Sequence, residues 1–224
     1  MHRFVDLANL ITLTSLLSAL ASVLSAIDGR TGWALALLIA SGLIGLVDGL
    51  VARRLKRNEL QKRFGSALDS LVDCCAFGFA PSIVLYCAGM NTIAEMVLLA
   101  ALPVCVVWRV AYFEVMGIQT APHSEKRYYT GLPSTYVALA VPAAAMLGFV
   151  GPLWFRWGMG VTVTAACLAM VSSCRVRKPG IAANAVFALL AVPVIGALLA
   201  FDDQLPHRAR PDDSNSLSGE RAEK

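Results

Sequence analysis

GLIGLVDGLVARRLKRNELQKRFGSALDSLVD, residues 42–73, is the stretch on which the reading of this chain turns. Two apolar runs flank a basic segment, and each run carries carboxylates: Asp48 in the first, Asp69 and Asp73 in the second. Asp48-Gly49 is a turn dipeptide in isolation. No other breaker accompanies it, and a turn there would leave the run 33–53 too short for the roughly 20 residues that cross a bilayer. The stretch therefore reads as the end of one transmembrane helix, a basic cytoplasmic connection and the start of the next. Helical spacing then places Gly45, Asp48, Gly49 and Ala52 on one face, and Gly65, Asp69 and Asp73 on one face of the following helix.

The rest of the chain supports a membrane setting. Of 224 residues, 57% are apolar and 15% charged, against about 45–50% and about 25% in soluble domains. Mean hydropathy is +0.65. An ordinary cytosolic enzyme, a disordered chain and a nucleic-acid binder are excluded on this balance. Seven apolar runs stand near 8–27, 33–53, 67–89, 92–117, 132–150, 153–173 and 181–201. The expected fold is an all-α polytopic helical bundle, since helices alone satisfy their backbone groups within a segment. Residues 1–201 form the membrane body and 202–224 a polar, disordered tail. The first run is read as a retained span, not a cleaved signal peptide.

Orientation follows from the basic residues. Segments 1–7, 54–66, 118–131 and 174–180, with Arg53, carry 12 Lys and Arg. The short connections on the other side carry 2. The first side is expected to be cytoplasmic. Trp33, Trp154 and Trp157 fall near span ends, where interfacial aromatics sit. Six cysteines lie in or beside apolar runs without ligand spacing and read as core residues.

Five carboxylates fall inside the runs: Asp48, Asp69, Asp73, Glu95 and Glu114. Such groups are costly at membrane depth and are functional candidates. Glu95 reads as interfacial; Glu114 lies close enough to the cytoplasmic face to be ambiguous. Asp48, Asp69 and Asp73 all belong at the cytoplasmic face. Two acids one turn apart repel unless a cation lies between them, and an oxygen-only set suits Mg²⁺, Mn²⁺ or Ca²⁺ with a phosphate-bearing substrate. Ion sites of a small transporter are the other use of such acids.

Asp48-Gly49-Leu50-Val51-Ala52-Arg53, followed by Gly65 and then Asp69 and Asp73 at intervals of four, resembles the CDP-alcohol phosphotransferase signature, D-x2-D-G-x2-A-R and G-x3-D-x3-D. The wider chain is most similar to the phosphatidylserine synthase branch. Leu68-Asp-Ser-Leu-Val-Asp73 with Phe77-Gly-Phe-Ala-Pro81, Gly131-Leu-Pro-Ser134 and Asn9-Leu-Ile-Thr-Leu13 resemble its LDSLAD…FGVAP, GLPSP and NLLTL elements. The resemblance covers about residues 5–180. It implies a six-helix family core with about one extra span, in the plasma membrane if the source is bacterial, with the active site facing the cytoplasm.

What the resemblance implies chemically is transfer of a phosphatidyl group from CDP-diacylglycerol, or a similar CDP-lipid, to a small alcohol such as serine, with release of CMP. Asp48, Asp69 and Asp73 would hold divalent Mg²⁺ or Mn²⁺, and Asp73 would also be the general base. Gly49, Ala52, Arg53 and Gly65 would bind the CDP-lipid. Arg109, Lys126 and Arg127 are candidates for the acceptor's anionic group. Related proteins are often dimers, and a homodimer is carried as an expectation. Three departures stand out. Gly45 occupies the place of the pattern's first aspartate, where water, or Ser41 one turn earlier, would fill a coordination place but not supply the charge. Eleven residues separate Arg53 from Gly65, where the family has eight or nine. Arg109-Val-Ala-Tyr-Phe-Glu114 stands where the branch has RLARFN, so Glu114 replaces an asparagine. A relative that binds CDP-lipid with little or no turnover is the alternative that Gly45 raises.

Overall fold

Asp6 begins the first helix by accepting a hydrogen bond from the backbone N–H of Asn9, and α1 runs over Leu7–Ile27. A tight turn at Gly29 leads into α2, Thr31–Arg54, which continues as helix straight through Asp48-Gly49. These coordinates are a computed structural model, and they describe residues 6–116, 119–120, 127–130, 132–172, 175–177 and 181–206. Further helices are α3 (Glu59–Asp73), α4 (Ala80–Cys87), α5 (Ile93–Met116), α6 (Val137–Ala145), α7 (Pro152–Val171) and α8 (Ile181–Ala200). A π-helical segment, Cys74–Phe79, joins α3 to α4 without a break, and 3₁₀ turns flank α6. Every expected span corresponds to a helical segment. Among the described residues five are long and apolar enough to cross a membrane: Leu7–Ile27, Thr31–Arg54, Glu59–Cys87, Ile93–Met116 and Pro152–Val171. Ser134–Phe149 is a shorter apolar helix.

Helix α2 is the centre of the bundle, packed by α1, α4, α6 and α8. Leu35, Leu38 and Ile39 are fully enclosed there, and Phe77, Leu85, Leu102, Phe155 and Met159 continue the core through the other helices. The α1–α2 contact is built differently. Ala8, Thr12, Ser15, Ala19, Ser22 and Ala26 recur at intervals of four and three, and all are buried. Small side chains let the two backbones approach, and the hydroxyls supply hydrogen bonds where water does not reach. Ser22 donates to Ala34 O at 2.7 Å, Ser18 to Leu37 O at 2.9 Å, and Ser15 pairs with Ser41 at 2.9 Å.

A second device fixes α3–α4 against α5. Pro103 inside α5 has no N–H to give the carbonyl of Leu99. The Ser82 hydroxyl lies 2.8 Å from that orphaned oxygen and donates to it. A Cβ on Gly78 would come within 3.1 Å of the Pro103 backbone, so the bare residue permits this approach.

Three boundaries differ from the sequence reading. The helix expected from about residue 67 starts at Glu59 behind a capping box: Asn58 accepts from Gln61 N, and the Gln61 side chain accepts from Asn58 N. The eleven residues between Arg53 and Gly65 therefore shrink to a short connection, with the remainder folded as helix. At the other end, residues 202–206 pack onto the bundle instead of opening the tail. Asp202 accepts from Gly32 N, Pro206 O accepts from the Thr31 hydroxyl at 2.9 Å, and Leu205 is buried. Finally, Gln119–Thr120, Arg127–Thr130 and Arg175–Arg177 pair as a small antiparallel ribbon, β1-β2-β3. It pairs the described part of the α5–α6 connection with that of the α7–α8 connection.

Candidate active site

The α1–α2 seam ends at the site. Thr12, its last hydroxyl, donates to Asp48 Oδ2 at 2.7 Å, and Asp48 is buried. Across from it, α3 presents Ser66, Asp69, Ser70 and Asp73, related by three, four and seven residues and so on one face. Asp69 is exposed and Asp73 half-buried. Ser134, which opens the 3₁₀ turn before α6, donates to Asp73 Oδ2 at 3.1 Å. The three aspartates lie within electrostatic reach of one another. None is at a helix start, where a dipole would explain it: Asp48 and Asp69 lie within α2 and α3, and Asp73 ends α3 where the π-helical segment continues it.

Two cavities open beside these acids. One, about 410 Å³, holds Asp48 together with Asn9, Thr12, Ala52 and Gly65, under a rim of Arg53, Arg57 and Lys62. The other, about 220 Å³, holds Asp73 with Ser70, Arg109, Phe113 and Ser134. Gly49, Arg53, Ser66 and Asp69 line both. The structure thus brings Asp48, Asp69, Asp73, Gly49, Ala52, Arg53, Gly65 and Arg109 to one locality. Arg109 is buried, donates through Nε to Leu132 O at 3.0 Å and stacks its guanidinium over Phe113 at 5.3 Å. Lys126 lies outside the described residues, and of Arg127 only the backbone, on β2, is described.

The glycines divide by role. Nothing lies within 4 Å of a Cβ built on Gly49, so its backbone is open to both cavities. On Gly65 a Cβ would meet Arg57 Nη1 and Asn9 Oδ1, each at 3.0 Å. Arg57, in the α2–α3 connection, is clasped by Asp6 and bonds Asn9 Oδ1 at 3.2 Å. Gly65 therefore makes room for this buried arginine as well as bordering the larger cavity. At Gly45 the nearest atom to a Cβ is Ser15 Oγ at 4.0 Å. The substitute oxygen expected from Ser41 does not reach the site: Ser41 is fully buried and donates back to Ser15 O at 3.0 Å.

Among the described residues no three acidic, histidine or cysteine side chains come together as a ready-made cage for one ion. The donor chemistry nonetheless fits a hard divalent cation. The ligands are all oxygens, they border water-accessible cavities, and Mg²⁺ is held by one or two carboxylates with waters and substrate phosphates completing its shell.

Residues 5–176 match the family model described as CDP-alcohol phosphatidyltransferase. The chain belongs to that family. It is 31% identical over 172 residues to a CDP-diacylglycerol--serine O-phosphatidyltransferase of Mycobacterium leprae, covering 75% of this chain and 56% of that protein. With the protein of the same name from Mycobacterium tuberculosis it shares 28% over 205 residues, 87% of this chain and 71% of the relative. An archaetidylserine synthase of Methanothermobacter thermautotrophicus is 30% identical over 151 residues, 67% of this chain and 62% of the relative. The chain therefore spans between half and three-quarters of the length of these relatives.

Sequence reasoning missed Thr12, Arg57, Ser66 and Ser70. Each left a signal. Thr12 continues the 4-3-4 spacing of small residues in α1, and both serines share the face of Asp69 and Asp73. Arg57 left only its place in a basic run.

Proposed function

We propose that this chain transfers the phosphatidyl group of CDP-diacylglycerol to the hydroxyl of serine, releasing CMP, at the cytoplasmic face of a bacterial-type plasma membrane. The observation that carries this reading is the shared wall. Asp69, Gly49, Arg53 and Ser66 stand between a cationic cavity that holds Asp48 and a smaller one that holds Asp73 beside Arg109. A group bound in one cavity meets a group bound in the other at Asp69. The likeness to serine phosphatidyltransferases supports turnover with serine over a member that binds CDP-lipid without reacting.

In this reading the larger cavity takes the nucleotide and its pyrophosphate. Arg53 and Arg57 offer planar donor forks to phosphate oxygens, and Asp6 holds Arg57 in place. The bare backbone at Gly49 lets the pyrophosphate lie against α2. The smaller cavity takes the acceptor. Arg109, anchored by Leu132 O and Phe113, faces its carboxylate, and Ser134 holds Asp73 through Oδ2 so that Oδ1 receives the hydroxyl proton. The acceptor oxygen then forms its bond to the lipid-side phosphorus. The bond from that phosphorus to the bridging oxygen breaks, and the bridging oxygen leaves on CMP with the electron pair.

Asp48, Asp69 and Asp73 would hold Mg²⁺ or Mn²⁺. A divalent ion held by one or two of these carboxylates, with waters and phosphate oxygens, would neutralise charge on the pyrophosphate and on the departing CMP. Thr12 holds Asp48 through Oδ2, and Asp69, which lines both cavities, would stand between the pyrophosphate and the acceptor. A homodimer is the assembly we carry forward, checked by light scattering in detergent.

The test is CMP release by the purified full-length protein in lipid nanodiscs with CDP-diacylglycerol and Mn²⁺. We expect CMP and phosphatidylserine in equal amounts with serine. CMP with inositol or glycerol phosphate but not with serine would overturn the acceptor. Nucleotide binding without CMP release from any acceptor would overturn the transferase in favour of the binding-only relative.

A further inference from the structure

We infer that Glu114, with Ser66 and Ser70, forms a subsite for a positively charged amino group on the acceptor. This rests on the transferase reading and assigns a specificity-determining residue within it. Val110 and Phe113 on α5 line the acceptor cavity, and Glu114 follows them on the same side of the helix, four residues from Val110. Its carboxylate reaches across to α3. Ser70 Oγ donates to Oε2 at 3.1 Å, and Ser66 Oγ lies 3.3 Å from Oε2 and 3.4 Å from Oε1. Both serines line the cavity. Glu114 is exposed, and among the described residues it forms no ion pair.

The hydroxyls orient the carboxylate, and among the described residues no cationic side chain pairs with it. A second negative group, Asp69, is within electrostatic reach. Where Ser66 and Ser70 line the cavity, the carboxylate they hold favours a cation and disfavours a phosphate, whereas Arg53 and Arg109, elsewhere in the lining, favour an anion. An acceptor with a hydroxyl, an ammonium and a carboxylate satisfies Asp73, Glu114 and Arg109 together. A neutral polyol leaves Glu114 and Arg109 unanswered, and a phosphorylated alcohol is repelled at Glu114. Selectivity of this kind comes from the polar groups that the wrong ligand leaves unpaired.

The test compares serine with hydracrylate, which is serine without its amino group, in nanodiscs with CDP-diacylglycerol and Mn²⁺. Wild-type protein should favour serine in kcat/KM by about tenfold or more, the scale of one charge-assisted hydrogen bond. Glu114→Gln should raise the KM for serine by about the same factor, with kcat and CMP affinity unchanged, and bring the two acceptors level. Glu114→Asp should restore part of the preference. Equal use of both acceptors by the wild type, or an unchanged serine KM in Glu114→Gln, overturns the inference. Should Glu114→Gln fail to fold, the wild-type comparison and Ser70→Ala decide in the same way. Turnover of glycerol phosphate in place of serine overturns the ammonium subsite and leaves the transferase standing. No CMP from any acceptor overturns both.

Discussion

Helix α5 carries a glutamate near each end, and the molecule treats them oppositely. Glu95, in the first turn, is clasped by Arg156 from α7: Nε meets Oε1 at 2.8 Å and Nη2 meets Oε2 at 2.7 Å. Thr92 adds its backbone N–H and its hydroxyl to Oε2. Glu114, in the last turn, receives two serine hydroxyls among the described residues. The first acid is complete within the chain and staples α5 to α7. The second is turned by two serines that line the acceptor cavity and, among the described residues, meets no counter-charge. An acid in an apolar helix is thus not a site by virtue of its charge. What separates a fastener from a site is whether the fold supplies the partner.

The deepest break in this contrast is at the open end. Asp73→Asn keeps the shape of the acceptor cavity and removes the base. It should lower CMP release by a factor of about 10² or more, while CMP binding followed by calorimetry survives. A rate equal to wild type would remove Asp73 from the chemistry and leave the open end without a base. Next comes acceptor preference. Glu114→Gln should cost about tenfold in serine KM, whereas Glu95→Gln should leave KM untouched; equal effects on KM would erase the distinction between the two glutamates.

The closed end is sharpened by a stability measurement. Arg156→Gln should leave kcat and KM as they are and weaken the α5–α7 contact by about 1 kcal/mol. In a thermal melt that is a fall of about 2–4 °C. An unchanged melt with altered kinetics would mean the pair acts on the site at long range. The mildest change adds charge to the open end. Gly45→Asp meets no atom closer than Ser15 Oγ at 4.0 Å from its Cβ. Mn²⁺ affinity, read by calorimetry, should therefore rise; unchanged affinity would mean the site has been rebuilt around three aspartates.

The membrane character, the helical bundle and the aspartate faces were legible because they depend on composition and on a 3.6-residue period, both local. Asp48-Gly49 is helical as read, since nothing nearby offered the chain a better way to satisfy its backbone groups in an apolar run. The start of α3 at Glu59 was misplaced because polar residues hid it from an apolar-run reading, although Asn58 and Gln61 announce a cap. The packed stretch 202–206 was hidden for a similar reason. Its polar composition suggests a tail, and only contact with Thr31 and Gly32 holds it.

By itself the sequence determined which side chains could meet: residues three, four and seven apart share a helix face whatever the fold, and an apolar chain in a membrane has little choice but helix. Only the tertiary structure decided what they meet. It set Thr12 against Asp48, Ser134 against Asp73, Arg156 against Glu95 and two serines against Glu114, and it closed Ser41 into the α1–α2 seam. Such pairings join residues tens of positions apart, and their energy depends on distance and orientation in space, which no spacing along the chain encodes.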